Sequence, residues 1–120
     1  LMAAEAALDS DLNYALDRVN DVRIRAGKIP RKEIGGNQVA AYNVQPYPSF
    51  PDKEYAMRAI QFERRLELAL EGHRFFDLVR WGDAATVLGS RGFVAGKNEI
   101  FPIPFDELQG TLLVQNPNYQ

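Results

Sequence analysis

The sequence predicts an all-α fold: a helical hairpin followed by a central pair of helices, with long irregular loops and an extended C-terminal wrap. Three observations predict it. Leu12, Ala15, Leu16, Val19, Val22 and Ala26 recur at the helical period and fall on one face. A second stripe at the same period fills the run from Asp52 to about Leu70. Near the end, Ile100-Phe101-Pro102-Ile103-Pro104 has to be extended, because each proline disfavours helix in the residue before it.

The chain opens on LMAAEAAL, rich in strong helix formers and without a capping residue ahead of it. It reads as the last turns of a helix cut in its middle, so a fragment of a longer protein is expected. Asp9-Ser10-Asp11 breaks this helix, and Asp11 or Ser10 caps the next through a side-chain oxygen. That three-residue turn makes an antiparallel hairpin. Gly27 is expected to cap the second helix at its C-terminus, and Pro30 to stop it continuing. Arg23 falls between Leu12 and Leu16 on the wheel, inside the apolar stripe. An unpaired buried guanidinium is very costly, so its partner has to come from elsewhere in the fold.

Residues 27 to 53 form a long irregular segment carrying Gly27, Pro30, Gly35, Gly36, Pro46 and Pro48 ahead of Pro51. Loops of this length are uncommon in compact domains and are often functional or inserted. Tyr42, Tyr47 and Phe50 punctuate it. Aromatic rings on a proline-stiffened loop can stack on a sugar or a partner. The competing and preferred reading is that they pin the loop to the helical body. These three are the candidate ligand-binding residues.

In the central helix Asp52 is the expected cap, and Ala69, Phe62, Tyr55, Leu66, Ala59 and Leu70 form an arc of about 100°, enough for a core-facing stripe. Beside it Glu63, Glu67 and Glu71 stack one turn apart. Like charges at that spacing repel by ~0.2–0.5 kcal/mol per pair, which makes sense if cations from other elements face them. Arg23, Arg74 and Arg80 are the candidates, giving an internal Glu–Arg network that locks the hairpin to the central pair. His73 is expected to be a satisfied structural donor in that frame, and Trp81 to fill the second helix with Phe75, Phe76, Leu78 and Val79. Gly72 and Gly82 are the expected left-handed stops of the two helices, before a short helix from Asp83 to Leu88. Beyond it, Phe93 is expected to tuck inward and Gly96-Lys97-Asn98 to turn. Phe105-Asp106-Glu107-Leu108 starts one more helical turn, Ile100, Phe101 and Ile103 are buried by the wrap, and Gln115-Asn116-Pro117-Asn118-Tyr119 closes the chain.

Several function classes are disfavoured. The 120 residues suit one domain, and a net charge of -2 argues against general nucleic-acid binding. There is no cysteine, which excludes disulfides and thiolate metal sites. No window approaches the ~20 apolar residues of a membrane span, and no secretory leader is visible. Glu71-Gly72-His73 lacks the HExxH and ExxH spacings that put ligands on one helical face. Glu63 and Glu67, one turn apart on one helix, are poorly placed to flank a cleft as acid and base. No catalytic residue, metal or cofactor is expected.

The run ERRLELALEGHRFFDLVRWG closely resembles the signature of the C-terminal part of the SusD/RagB family. LMAAEA with the following VNDVRIRAG, then NEIFPIPFDEL, then QNPNY, resemble further pieces of it in the same order. The resemblance implies that residues 1–120 are the C-terminal portion of a SusD-like, tetratricopeptide-repeat-containing fold whose N-terminal portion is missing from this chain. It implies a lipoprotein on the surface of the outer membrane of Bacteroidetes, held by a lipid anchor on that missing N-terminus. Such proteins capture an oligosaccharide or other nutrient for a SusC-like TonB-dependent transporter, and they are not enzymes. None of the matched motifs is a ligand-binding motif, so no binding residue carries over. The alternatives are a helical-repeat scaffold for a protein partner and, behind it, a glycoside hydrolase.

Overall fold

The computed structural model describes residues 1–28, 33–35, 37–38 and 43–120, with positions 33, 34, 37 and 38 described through the backbone alone. The chain divides into two compact units, Leu1–Ala69 and Leu70–Gln120.

The first unit is built on three helices, α1 (Met2–Ala6), α2 (Leu12–Gly27) and α3 (Lys53–Glu67), each packed on the other two. Asp11 caps α2 by accepting from the Tyr14 amide at 2.9 Å, and Asp52 caps α3 from the Tyr55 amide at 2.7 Å. The turn between α1 and α2 is longer than expected, residues 7–11, and it contributes to the core through Ala7 and Leu8. Between α2 and α3 a two-residue hairpin pairs β1 (Glu33–Ile34) antiparallel with β2 (Asn37–Gln38). It is the sole extended pairing among the described residues, and the architecture is helical as predicted.

Small side chains set the packing. Ala4, Ala15 and Ala56 are fully buried and Ala59 nearly so, which lets the three backbones approach closely around Val19 and Ile60. The predicted α2 stripe is the observed one: Ala15 and Val19 are buried, and Leu12 and Leu16 pack against the core. Gly27 does not act as the left-handed cap. It is the last helical residue, and Lys28 caps α2 in ordinary right-handed geometry. Its lack of a side chain has another use, since a Cβ there would meet the Val44 carbonyl oxygen at 3.2 Å.

The predicted stripe on α3 is rotated. The buried residues are Ala56, Ala59, Ile60, Glu63 and Arg64. Phe62, Leu66 and Leu70 are 51%, 56% and 106% exposed, and Tyr55 also lies outside the core at 37%. The error is one residue, about 100° around the helix. It arises because Phe62 and Leu66 face away while Ala56, Ala59 and Ile60, with the charged Glu63 and Arg64, face in. The helix also ends sooner than Leu70, at Glu67, and Leu70 itself takes a positive φ of 67°.

In the second unit α4 (His73–Trp81) and α5 (Ala84–Leu88) pack together and lead into a 3-10 turn, Gly89–Arg91. Gly72 is left-handed as expected, but it precedes α4 instead of closing α3. Gly82, at φ 78°, ends α4: its amide bonds the Val79 carbonyl at 3.1 Å and the Asp83 amide the Leu78 carbonyl at 2.9 Å. The C-terminal segment contains one short helix, α6 (Phe105–Leu108), and ends in a 3-10 turn, Pro117–Tyr119. It is pinned by side chains acting as backbone partners. Gln115 accepts from the Ile103 amide at 3.0 Å and donates to the Ile103 carbonyl at 2.8 Å. Burial along this wrap is less than predicted, with Ile103 half-buried but Ile100 and Phe101 53% and 69% exposed. The prolines that hold Phe101 extended do not by themselves supply a surface to cover it.

Candidate functional site

Two constellations stand out, one in each unit. In the first, Glu63 lies on the buried face of α3 with its side chain 6% accessible, paired with Arg23 of α2 at 15%. The Tyr47 hydroxyl donates to the same carboxylate oxygen at 3.1 Å. Arg23 also donates from Nε to the Gln45 carbonyl and stacks its guanidinium over the Tyr47 ring at 4.5 Å. Asn20, one turn before Arg23, holds the Tyr47 backbone from both sides, donating to its carbonyl at 2.9 Å and accepting from its amide at 2.8 Å. Burial pushes the Tyr47 phenol up, the Glu63 carboxylate adds to this by charge and hydrogen bond, and Arg23 opposes it. These bonds run between the loop and the two helices, so the cluster fixes the loop to α2 and α3.

This is part of the expected Glu–Arg network, with different members. Arg23 meets Glu63, while Glu67 is paired by Arg25, a residue the wheel had not singled out. Glu71 lies beyond the end of α3 and is exposed. Arg74 is half-buried, and neither Glu71 nor Arg74 has an ion-pair partner among the described residues. Arg80 pairs with Asp77 of its own helix at 3.0 Å and lies over the Trp81 ring at 5.0 Å. His73 opens α4 in an exposed position without a hydrogen-bond partner among the described residues. Of the candidate ligand residues, Tyr42 lies outside the described residues. Phe50 is 8% exposed, and Tyr47, Phe50 and Tyr55 contact one another ring to ring, with centroids 5.7–6.3 Å apart. Those contacts tie the loop to α3.

The second constellation is a cleft of about 370 Å³ in the second unit. Phe75 of α4 is its middle wall, flanked by Phe93 at 6.3 Å and Phe101 at 6.0 Å between ring centroids. Arg91, Asn98 and Tyr119 supply the polar lining. The Tyr119 hydroxyl bridges the carbonyls of Lys97 at 3.2 Å and Ile100 at 3.1 Å, which joins the chain end to the turn it closes over. Sequence reasoning had no period with which to find this cleft. Its residues come from α4, the loop after the 3-10 turn, the extended wrap and the tail, and only the inward tuck of Phe93 had been anticipated.

The profile of the SusD family matches residues 1–93, well over half of the chain. The chain belongs to the SusD family. The match includes the whole of the Glu63–Gly82 signature and stops before NEIFPIPFDEL and QNPNY. Among solved structures, this SusD-family chain is similar to a laminarin binding SusD-like protein, at 47% identity and a TM-score of 0.68. The similarity covers 95% of this chain and 20% of that protein, so the chain spans a small part of its relative's length. No curated protein matches it.

Proposed function

We propose that this SusD-family chain is the C-terminal portion of a cell-surface protein that binds a glycan and delivers it to a SusC-like TonB-dependent transporter in the outer membrane. The observation that carries the reading is the 47% identity, over nearly the whole chain, to a protein described as laminarin binding. The charged cluster around Glu63 joins the loop to the helices of the first unit, which gives it a structural task. No helix among the described residues is long and apolar enough to cross a membrane, and attachment in this reading is by a lipid anchor.

Isothermal titration of the full-length protein with laminarin oligosaccharides, beside a panel of other soluble glycans, tests the binding half. Saturable binding without release of new reducing ends is expected. Absence of binding to every glycan, or turnover of any, refutes the reading. Affinity purification from outer membranes tests the transporter half, and a TonB-dependent transporter should co-purify.

A further inference from the structure

We infer that the exposed apolar stripe of α3, formed by Tyr55, Phe62 and Leu66, is an internal interface of the full-length protein, covered by an amphipathic helix from polypeptide outside these 120 residues. The inference rests on the reading of this chain as a portion of a longer protein. The stripe is the first argument. At about 100° per residue the three side chains fall within about 40° of arc. That arc lies about 100° around α3 from the face that carries Ala56, Ala59, Ile60 and Glu63. The helix therefore carries two apolar faces, and the first unit buries one of them. The side chains of the second are 37%, 51% and 56% exposed. A single exposed apolar residue needs no explanation, but three in line along one helix form a contiguous seam.

The total surface is the second. The chain exposes 8813 Å². A folded monomer of 13.5 kDa exposes about 6,500 Å², and two separate globules of half that mass expose about 7,900 Å² together. By either standard the chain leaves an excess of about 900 to 2,300 Å² in water. One partner gives about 800 Å² to a standard stable interface, so the excess is large enough for one.

The occupant is the third. The portion matched in the laminarin binding SusD-like protein is 20% of that chain, so most of a polypeptide of that length lies outside it. A covering segment in the same polypeptide meets the stripe at high effective concentration, which a separate partner does not. A stripe this narrow suits the ridge-and-groove contact of one helix with another. Arg65, towards one edge of the stripe, is exposed and has no ion-pair partner among the described residues. It matches a covering helix with an acidic residue beside its apolar face.

Thiol labelling of Phe62→Cys and Leu66→Cys in the purified full-length protein, with the parent as background, tests the assignment. Each introduced thiol should react at least about tenfold more slowly in the folded protein than in urea, at every protein concentration. An encoded photo-crosslinker in place of Leu66 should join to a peptide outside the 120 residues. Labelling of the folded protein at the urea rate overturns the inference. Protection lost on dilution points to a second copy, and a crosslink within the 120 residues points to this chain itself; either also overturns it. Where one cysteine variant melts early, the other carries the test. Fast labelling in a protein that still binds glycan overturns this inference alone. An intact mass of 13.5 kDa for the native protein overturns it together with the reading beneath it.

Discussion

Replacing Arg23 with alanine should destabilise the first unit severely. The Glu63 side chain is 6% accessible, and after the change its carboxylate would keep, among the described residues outside α3, only the Tyr47 hydroxyl 3.1 Å away. The same change leaves the Gln45 carbonyl without its guanidinium donor and uncovers the Tyr47 ring. Breaking one side of a buried ion pair costs ~3–5 kcal/mol, a large share of the ~5–15 kcal/mol that holds a typical domain folded. The melting temperature should fall by roughly 10–20 °C. Arg25→Ala is the internal control. Its pair with Glu67 is 65% and 34% accessible, and such exposed pairs contribute only ~0–1 kcal/mol. Thermal and denaturant unfolding by circular dichroism, on Arg23→Ala, Glu63→Ala and the double variant, gives the coupling directly. The double variant should be less damaged than the sum of the singles, since neither charge is left stranded. An Arg23→Ala loss below ~1 kcal/mol, or simple additivity, would refute the buried-pair argument.

Two further outcomes follow from local geometry. The Tyr47 phenol is held above its unfolded value, so its contribution is fully present below about pH 10 and is lost as pH rises through the folded value. The denaturant midpoint should therefore decline above about pH 10, and less steeply in Tyr47→Phe; identical slopes in the two proteins would contradict the assignment. Gly82 has φ 78° and open space where a Cβ would sit, so Gly82→Ala meets only backbone strain. It should cost ~1–2 kcal/mol, with Gly82→Asn less damaging, and an alanine variant as stable as the parent would contradict the left-handed stop.

The parts of the fold legible in the sequence were those set by local rules. Asp11, Asp52 and Gly82 were readable as caps because capping depends on a side-chain oxygen or a positive φ at one position. The α2 face was readable because its stripe is the buried one, and the oddity of Arg23 within it correctly demanded a distant partner. The α3 face was misread because hydrophobic size was taken as burial. Against the alanine-rich surface of α1 and α2, the inward positions are Ala56, Ala59 and Ile60 with the charged Glu63 and Arg64, and Phe62 and Leu66 are left outside. Arg25–Glu67 and Asn20–Tyr47 join residues 42 and 27 apart in sequence, where no periodicity reaches. The aromatic cleft is illegible for the same reason, as its walls meet only after several turns have closed.

The buried pair also answers a problem that alanine packing creates. Faces made of alanine are nearly interchangeable along a helix, so contacts of Ala4, Ala15, Ala56 and Ala59 alone discriminate weakly between registers. Sliding α3 by one residue would turn Glu63 about 100° away and strand the Arg23 guanidinium on an apolar face. One ion pair thus ties register to charge burial, and it extends that control to the loop through the Gln45 carbonyl and the Tyr47 hydroxyl. The densest charge cluster in the first unit is accounted for by this task. Substitutions around Glu63 should therefore move stability and leave glycan affinity unchanged in variants that still fold, a separation that measuring both properties on the same variants exposes to failure.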